Sequence, residues 1–103
     1  VLATSRDISK LFATDMNQIS TLKRAAISAG QVHNLLRKQA IISAKEAAKS
    51  LDISVPTART ALNNLKGLGI VGDVSGKGKE RLYLYSELIS LLEKGAKPIG
   101  FEN

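Results

Sequence analysis

The chain has 103 residues, a mass of 11.0 kDa and 44% hydrophobic residues, so it holds one domain core and leaves no room for a second, catalytic domain. Fifteen basic and nine acidic residues give a net charge of +6 and a pI near 9.8, which favours a polyanionic partner. With no cysteine and one histidine, the sequence excludes disulfides and cysteine- or histidine-based metal sites, and we expect no cofactor and a cytoplasmic location. No apolar run approaches the roughly 18 residues of a membrane span.

The first part of the chain has the pattern of amphipathic helices. From Thr4 to Ala29, apolar residues recur every three or four positions, which predicts one long helix. After Gly30 the apolar positions rotate to another face, which predicts a kink or break and a short helix to Lys38. So long a helix exceeds what a small core needs, and we expect segment 1–39 to pack on a missing catalytic core or on a second copy. The contact residues would be Ile8, Phe12, Ile19 and Leu22.

A short strand and a capped helix follow. The apolar run Ala40 to Ser43 predicts the strand. In the sequence S-A-K-E, the Ser43 hydroxyl can accept from the backbone N–H of Glu46, while the Glu46 carboxylate reaches back to the N–H of Ser43. This capping box predicts a helix that runs to about Leu51.

A second short helix comes after a tight turn at residues 52–54. Ser54 is its predicted N-cap, and Pro56 is tolerated in the first turn because its missing N–H would have no partner there. The apolar spacing ends near Leu68, where Gly69 can adopt the left-handed conformation that closes a helix.

The rest of the chain predicts a β-hairpin, a final helix and a tail. The stretch Ile70 to Val74 and the alternating stretch Arg81 to Tyr85 predict two strands joined by a glycine- and lysine-containing loop. We expect Ser86 to cap an amphipathic helix that ends near Gly95, and residues 96–103 to form the tail.

Two short helices with a tight turn, followed by a hairpin, are typical of a winged helix-turn-helix. We therefore predict a mainly α (α+β) fold with a long N-terminal helix, a winged helix-turn-helix domain over 40–95 and a small hairpin wing. One face of the second short helix carries short polar groups and an arginine, which suit base edges and phosphates in a major groove. The predicted DNA-binding residues are Lys45, Lys49, Ser54, Thr57, Arg59, Thr60, Asn63, Asn64, Lys77, Lys79 and Arg81.

Motifs that would indicate an enzyme are weak. The spacing G-x-G-x-x-G occurs from Gly67 to Gly72, but it lies between a helix and a strand, the reverse of the order that binds a pyrophosphate. His33 has no acidic or nucleophilic residue at helical spacing, so we interpret it as a packed or surface histidine. We therefore expect this chain not to be an enzyme.

The stretch ISVPTARTALNNLKGLGIV from Ile53 to Val71, followed by SGKGKERLYLYSELISLL from Ser75 to Leu92, resembles the C-terminal winged-helix domain of Fic-type protein adenylyltransferases. The resemblance covers roughly residues 40–93. That family's catalytic core carries an H-P-F-x-x-G-N-G-R run that handles ATP and Mg²⁺, and no such run occurs here. The resemblance implies an accessory domain whose parent would transfer AMP to hydroxyl side chains. Bacterial transcription regulators of the winged-helix class share the same pattern.

Two functions stay open on the sequence alone. One is a transcription-regulator-like module that binds double-stranded DNA. The other is a protein–protein interaction or dimerisation module without DNA binding, for which the apolar stripe of the first helix would supply the surface. The start at Val1 without an initiating methionine favours a piece of a longer protein.

Overall fold

The computed structural model describes residues 5–75 and 81–96, and about 75% of them are helical. The elements in chain order are α1 (Ser5–Ser20), a 3-10 helix (Lys23–Ala25), α2 (Ala26–Gln39), β1 (Ile41–Ser43), α3 (Ala44–Leu51), α4 (Val55–Gly67), β2 (Gly72–Ser75), β3 (Arg81–Leu84) and α5 (Ser86–Ala96). The strands form one antiparallel sheet in the order β1-β3-β2, so the fold is mainly helical with a small sheet, as the α+β prediction required. None of the described helices combines the length and the apolar character that crossing a membrane requires.

The break in the N-terminal helices lies at residues 21–25, so the predictions of one long helix and of a break after Gly30 were wrong. The hydroxyls of Ser20 and Thr21 each donate to a backbone carbonyl three residues earlier at 2.6 Å, and Lys23 has a positive φ of 56°. Gly30 lies inside α2. The buried residues of α2, which repeat every three or four positions, are Ala29, Val32, His33 and Leu36. The rotated apolar positions therefore belong to the regular face of a new helix.

The capping box at the start of α3 is present as predicted. The Ser43 hydroxyl accepts from the N–H of Glu46 at 3.2 Å, and the Glu46 carboxylate accepts from the N–H of Ser43 at 3.0 Å. Asp52 follows α3 in the left-handed conformation with φ 56°, and the N–H of Ile53 donates to the carbonyl of Ala48. The chain thereby turns sharply toward α4.

Both ends of α4 are closed by local hydrogen bonds, as the sequence predicted. The Ser54 hydroxyl accepts from the N–H of Thr57 at 3.2 Å. At the other end Gly69 has φ +80°, its N–H donates to the carbonyl of Lys66, and the N–H of Ile70 donates to the carbonyl of Leu65. This pair of bonds is a Schellman motif, in which glycine relieves the strain of the left-handed residue.

The sheet begins later than the apolar pattern predicted. Strand β2 starts at Gly72, and the buried residues Ile70 and Val71 precede it. Residues 76–80 of the hairpin loop lie outside the described part of the chain. The carbonyl of Tyr85 accepts from the N–H of Ile89 at 3.0 Å. Tyr85, and not the predicted Ser86, therefore occupies the N-cap position of α5.

One hydrophobic cluster joins the N-terminal helices to the rest of the chain. Ile19 of α1 and Leu36 of α2 belong to it together with Leu62 of α4 and Tyr85. Partly buried residues of α1 and α2 also pack against this cluster, namely Ile8, Leu11, Phe12, Ala26 and Leu35. The two N-terminal helices therefore contribute to the same core as residues after them.

A buried polar triad crosses this core. The hydroxyl of Tyr85 donates to Asp15 Oδ2, and His33 Nε2 lies 2.9 Å from the same hydroxyl oxygen. Asp15 is 6% exposed, and both His33 and Tyr85 are 0% exposed. The Phe12 ring packs edge-on against His33, with the Arg37 guanidinium 4.4 Å from the centre of the Phe12 ring. The triad thus joins α1, α2 and the end of β3.

The triad also settles the protonation of His33. Because Tyr85 gives its only hydroxyl proton to Asp15, Nε2 must carry a proton and donate it to the Tyr85 oxygen. Within the described residues the buried Nδ1 has no hydrogen-bond partner, so a second proton there would lack an acceptor among them. Burial, and then the charge of Arg37, lower the pKa of His33 to about 4, while burial raises the pKa of Asp15.

Replacing Tyr85 by phenylalanine should destabilise the fold by about 1–3 kcal/mol, because it leaves two buried polar groups without their shared partner. Urea unfolding at pH 7, followed by circular dichroism, measures this loss. A change in the free energy of unfolding below about 0.5 kcal/mol, the size of an ordinary surface substitution, would contradict the role of the triad.

The triad should also make stability depend on pH. Between pH 6.5 and about 4 the unfolded chain protonates His33 and the folded chain does not, so stability falls as pH falls. Asp15 opposes this loss, because its raised pKa lets the folded state take up a proton first. From pH 7 to 4.5, His33 alone should remove about 2–3 kcal/mol.

The measurement is urea unfolding at both pH values for the wild type, His33→Gln and Asp15→Asn. His33→Gln should reduce the loss, and Asp15→Asn should increase it. An equal loss in the wild type and in His33→Gln would show that other groups carry the acid sensitivity.

The N-cap of α4 gives a third prediction. Ser54→Ala should lower the free energy of unfolding by about 1 kcal/mol, whereas Ser54→Asp should retain most of the stability because a carboxylate also caps a helix. Urea midpoints of the two variants, compared at pH 7, test this. Equal midpoints for alanine and aspartate would contradict it.

Candidate nucleic-acid interface

Helix α4 has one buried face and one polar face. Ala58, Leu62 and Leu65 are completely buried against the core, together with Ala61. The opposite side is solvent-exposed, as the sequence predicted, and carries Pro56, Thr57, Arg59, Thr60 and Asn63. The small buried side chains let α3 approach closely, so the polar face projects away from the core.

The hydroxyls of Ser54 and Thr57, at the start of this face, differ in their hydrogen bonds. Ser54 accepts from the N–H of Thr57 and also donates its own proton to Thr57 Oγ1 at 2.7 Å. Ser54, a predicted DNA-binding residue, therefore uses its proton inside the cap. Among the described residues the Thr57 hydroxyl has no acceptor for its own proton, which is therefore available to a ligand.

A cleft of about 640 Å³ lies beside the polar face, between the start of α3, α4 and β3. Its lining residues are Ser43, Ala44, Lys45, Val55, Arg59, Asn63, Arg81 and Tyr83. Three of them are cations, and within the part of the chain that the structure describes no carboxylate lines the cleft. The cleft thus brings together four of the predicted DNA-binding residues from three separate elements.

Asp73 ties the hairpin base to the end of α4. Lys66 Nζ lies 3.0 Å from Asp73 Oδ1, and Arg81 Nη1 lies 3.2 Å from Asp73 Oδ2. The hydrogen bond from Lys66 lowers the pKa of Asp73, and the charges of Lys66 and Arg81 add to this effect. The carboxylate holds β2, β3 and the last turn of α4 in a fixed relation.

The other predicted interface residues are more scattered. Lys49 is exposed on α3, and Asn64 is half-buried on α4, but neither lines the cleft. Thr57 and Thr60 lie on the polar face outside the cleft. Lys77 and Lys79 fall outside the described residues.

Tyr83 is a cleft residue that the sequence analysis missed. It is 3% exposed, and its hydroxyl donates to Asn63 Oδ1 at 3.3 Å. In β3 it pairs with Ile42 of β1 and Asp73 of β2, and its bond to Asn63 shows that its side chain faces α4. The alternation of the strand signalled an inward side chain, but gave no sign of which α4 residue it would meet.

The apolar stripe predicted as a docking surface packs against the chain's own core. Ile19 is buried, and Ile8, Phe12 and Leu22 are half-buried against the same cluster. Most of this stripe is thus occupied without a second chain.

The described residues contain no group of three or more histidine, cysteine or acidic side chains that could hold a metal ion.

Comparison of the chain with protein-family models, with curated proteins and with solved structures found no match. The interface therefore has to be interpreted from its own chemistry.

Proposed function

We propose that the chain is a DNA-binding winged-helix module. In this proposal α3, the turn at 52–54 and α4 form the helix-turn-helix, and the hairpin of β2 and β3 forms the wing. The observation that carries the proposal is the continuity of two surfaces. The exposed polar face of α4 runs directly into the cationic cleft, and Arg59 and Asn63 belong to both.

Helix α4 suits the role of recognition helix in size and chemistry. Its 13 residues make a helix of about 20 Å, and a major groove about 12 Å wide admits such a helix. Thr57 and Thr60 are short hydrogen-bonding side chains that let the backbone approach base edges closely.

The cations around α4 suit the phosphate backbone. Lys45 at the start of α3 and Arg81 at the base of the hairpin line the same cleft as Arg59 of α4. Lysine and arginine at such positions release counter-ions when they contact phosphates, which supplies affinity without sequence preference. The net charge of +6 acts in the same direction.

The biological setting in this proposal comes from the sequence resemblance: an accessory, transcription-regulator-like domain of a cytoplasmic Fic-type protein adenylyltransferase, with no catalytic role of its own. The alternative, an interaction or dimerisation module, needs a free apolar surface. Since Ile8, Phe12, Ile19 and Leu22 pack on the chain's own core, the stripe predicted to serve this alternative is largely occupied.

The proposal predicts salt-dependent binding to duplex DNA. Fluorescence anisotropy with a random-sequence duplex should give micromolar or tighter binding at about 50 mM salt and much weaker binding at about 200 mM, because phosphate contacts dominate. Arg59→Gln should cost about 1–3 kcal/mol of affinity, because it removes a cation that lines the cleft beside the polar face.

The matched control is Arg24→Gln, which removes the same charge from the exposed 3-10 helix, far along the chain from α4. It should change affinity much less than Arg59→Gln. No binding at the lower salt concentration, or equal losses for the two variants, would reject this interface.

A further inference from the structure

The hydrogen bond between Tyr83 and Asn63 determines what the cleft offers to a ligand. Because the Tyr83 hydroxyl donates to Asn63 Oδ1, one of the two lone pairs of the amide oxygen is used inside the protein. The Nδ2 amino group keeps both of its donors for a ligand. Tyr83 is fixed in the sheet and almost fully buried, so it holds the amide in this orientation.

The remaining polar groups of the cleft also donate. Lys45, Arg59 and Arg81 carry only donors. The Ser43 hydroxyl is 1% exposed, and its oxygen accepts from the N–H of Glu46. With one lone pair of the Asn63 amide oxygen bonded to Tyr83, the exposed polar side chains of the cleft present mainly hydrogen-bond donors and positive charge.

A base edge in the major groove offers donors and acceptors together, and asparagine recognises adenine by using both ends of its amide. A phosphoryl group offers acceptors alone and carries negative charge. We propose that the cleft binds a phosphoryl group and that Asn63 contacts this phosphate rather than a base. The inference deepens the proposed function, because a backbone phosphate of duplex DNA is the source it favours.

The helical geometry of α4 agrees with this division of roles. Arg59 and Asn63 are four residues apart, so they lie on the same side of α4, and both line the cleft. Thr57 and Thr60 are exposed outside the cleft and remain available for bases. Tyr83 then acts as a positioning residue, which affects binding through Asn63.

Affinity measured on two kinds of duplex separates a phosphate contact from a base contact. One is a site selected from a random pool by the wild-type domain, and the other is random sequence. Asn63→Ala should weaken binding to both by the same factor, about three- to tenfold, because a backbone contact carries no sequence information. Asn63→Asp should weaken both by more than tenfold, since a carboxylate repels phosphate. A relaxed preference at one base pair, with unchanged affinity for random duplex, would overturn the proposal.

Asn34→Ala is the matched control, because it truncates an exposed amide on α2 outside the cleft. It should leave both affinities within about twofold. Tyr83→Phe retains the buried ring and removes only the hydroxyl, so it should weaken binding in the same direction as Asn63→Ala but less. Added to Asn63→Ala, it should have no further effect. If Tyr83→Phe weakens binding as much as Asn63→Ala does, and the two losses add in the double variant, Tyr83 has no positioning role.

Titration with inorganic phosphate, followed by backbone amide shifts in NMR spectra, identifies the source of the phosphoryl group. Shifts at the cleft residues that Asn63→Asp abolishes, together with competition by phosphate against duplex, support a cleft that DNA occupies. The same shifts with no duplex binding at about 50 mM salt reject the proposed function but keep the phosphoryl site, which would then serve a small phosphorylated ligand. If Asn63→Asp changes neither the phosphate-induced NMR shifts nor the binding of duplex, the site itself is rejected.

Discussion

The hydroxyl of Tyr85 is the point on which the arrangement of the helices depends. It lies at the end of β3 with 0% exposure, and it joins Asp15 of α1 to His33 of α2. Polar groups buried this deeply are tolerated only when they are hydrogen-bonded, so α1 and α2 must take up one position relative to the sheet. Because α2 packs on α4, the same hydroxyl also determines how the polar face of α4 is presented to solvent.

Close packing of small residues then brings the interface cations together. Ala47 and Ala48 of α3 and Ala58 of α4 are buried, and the two helices pack against each other. Alanine allows helix axes to approach closely, and the approach places Lys45 and Arg59, on different helices, at one cleft. The packing of the apolar sides of α3 and α4 thus brings positive side chains close together on their exposed sides. Positive charge concentrates at the surface, while the buried triad keeps His33 neutral.

Local signals in the sequence were sufficient for the capped helices and insufficient for the tertiary contacts. The hydroxyl of Ser43, the cap at Ser54 and the left-handed Gly69 act on neighbours within a few residues, so they could be predicted correctly. The break between α1 and α2 was misplaced because the turn keeps Leu22 half-buried and preserves the apolar spacing across the break. His33 and Tyr85 are 52 residues apart, and Asn63 and Tyr83 are 20 apart. No periodicity within one element can specify such a pair.

Asp73 is an acidic residue that orients Arg81, one of the cations of the cleft. It pairs with Lys66 and Arg81 and so removes part of the positive charge at the hairpin base. Arginine has five N–H donors, and one contact through Nη1 leaves the others for a ligand in the cleft. A side chain already held in place loses less conformational freedom when it binds. Asp73 therefore lowers the total charge but orients Arg81, which favours a contact of defined geometry over diffuse attraction to any polyanion.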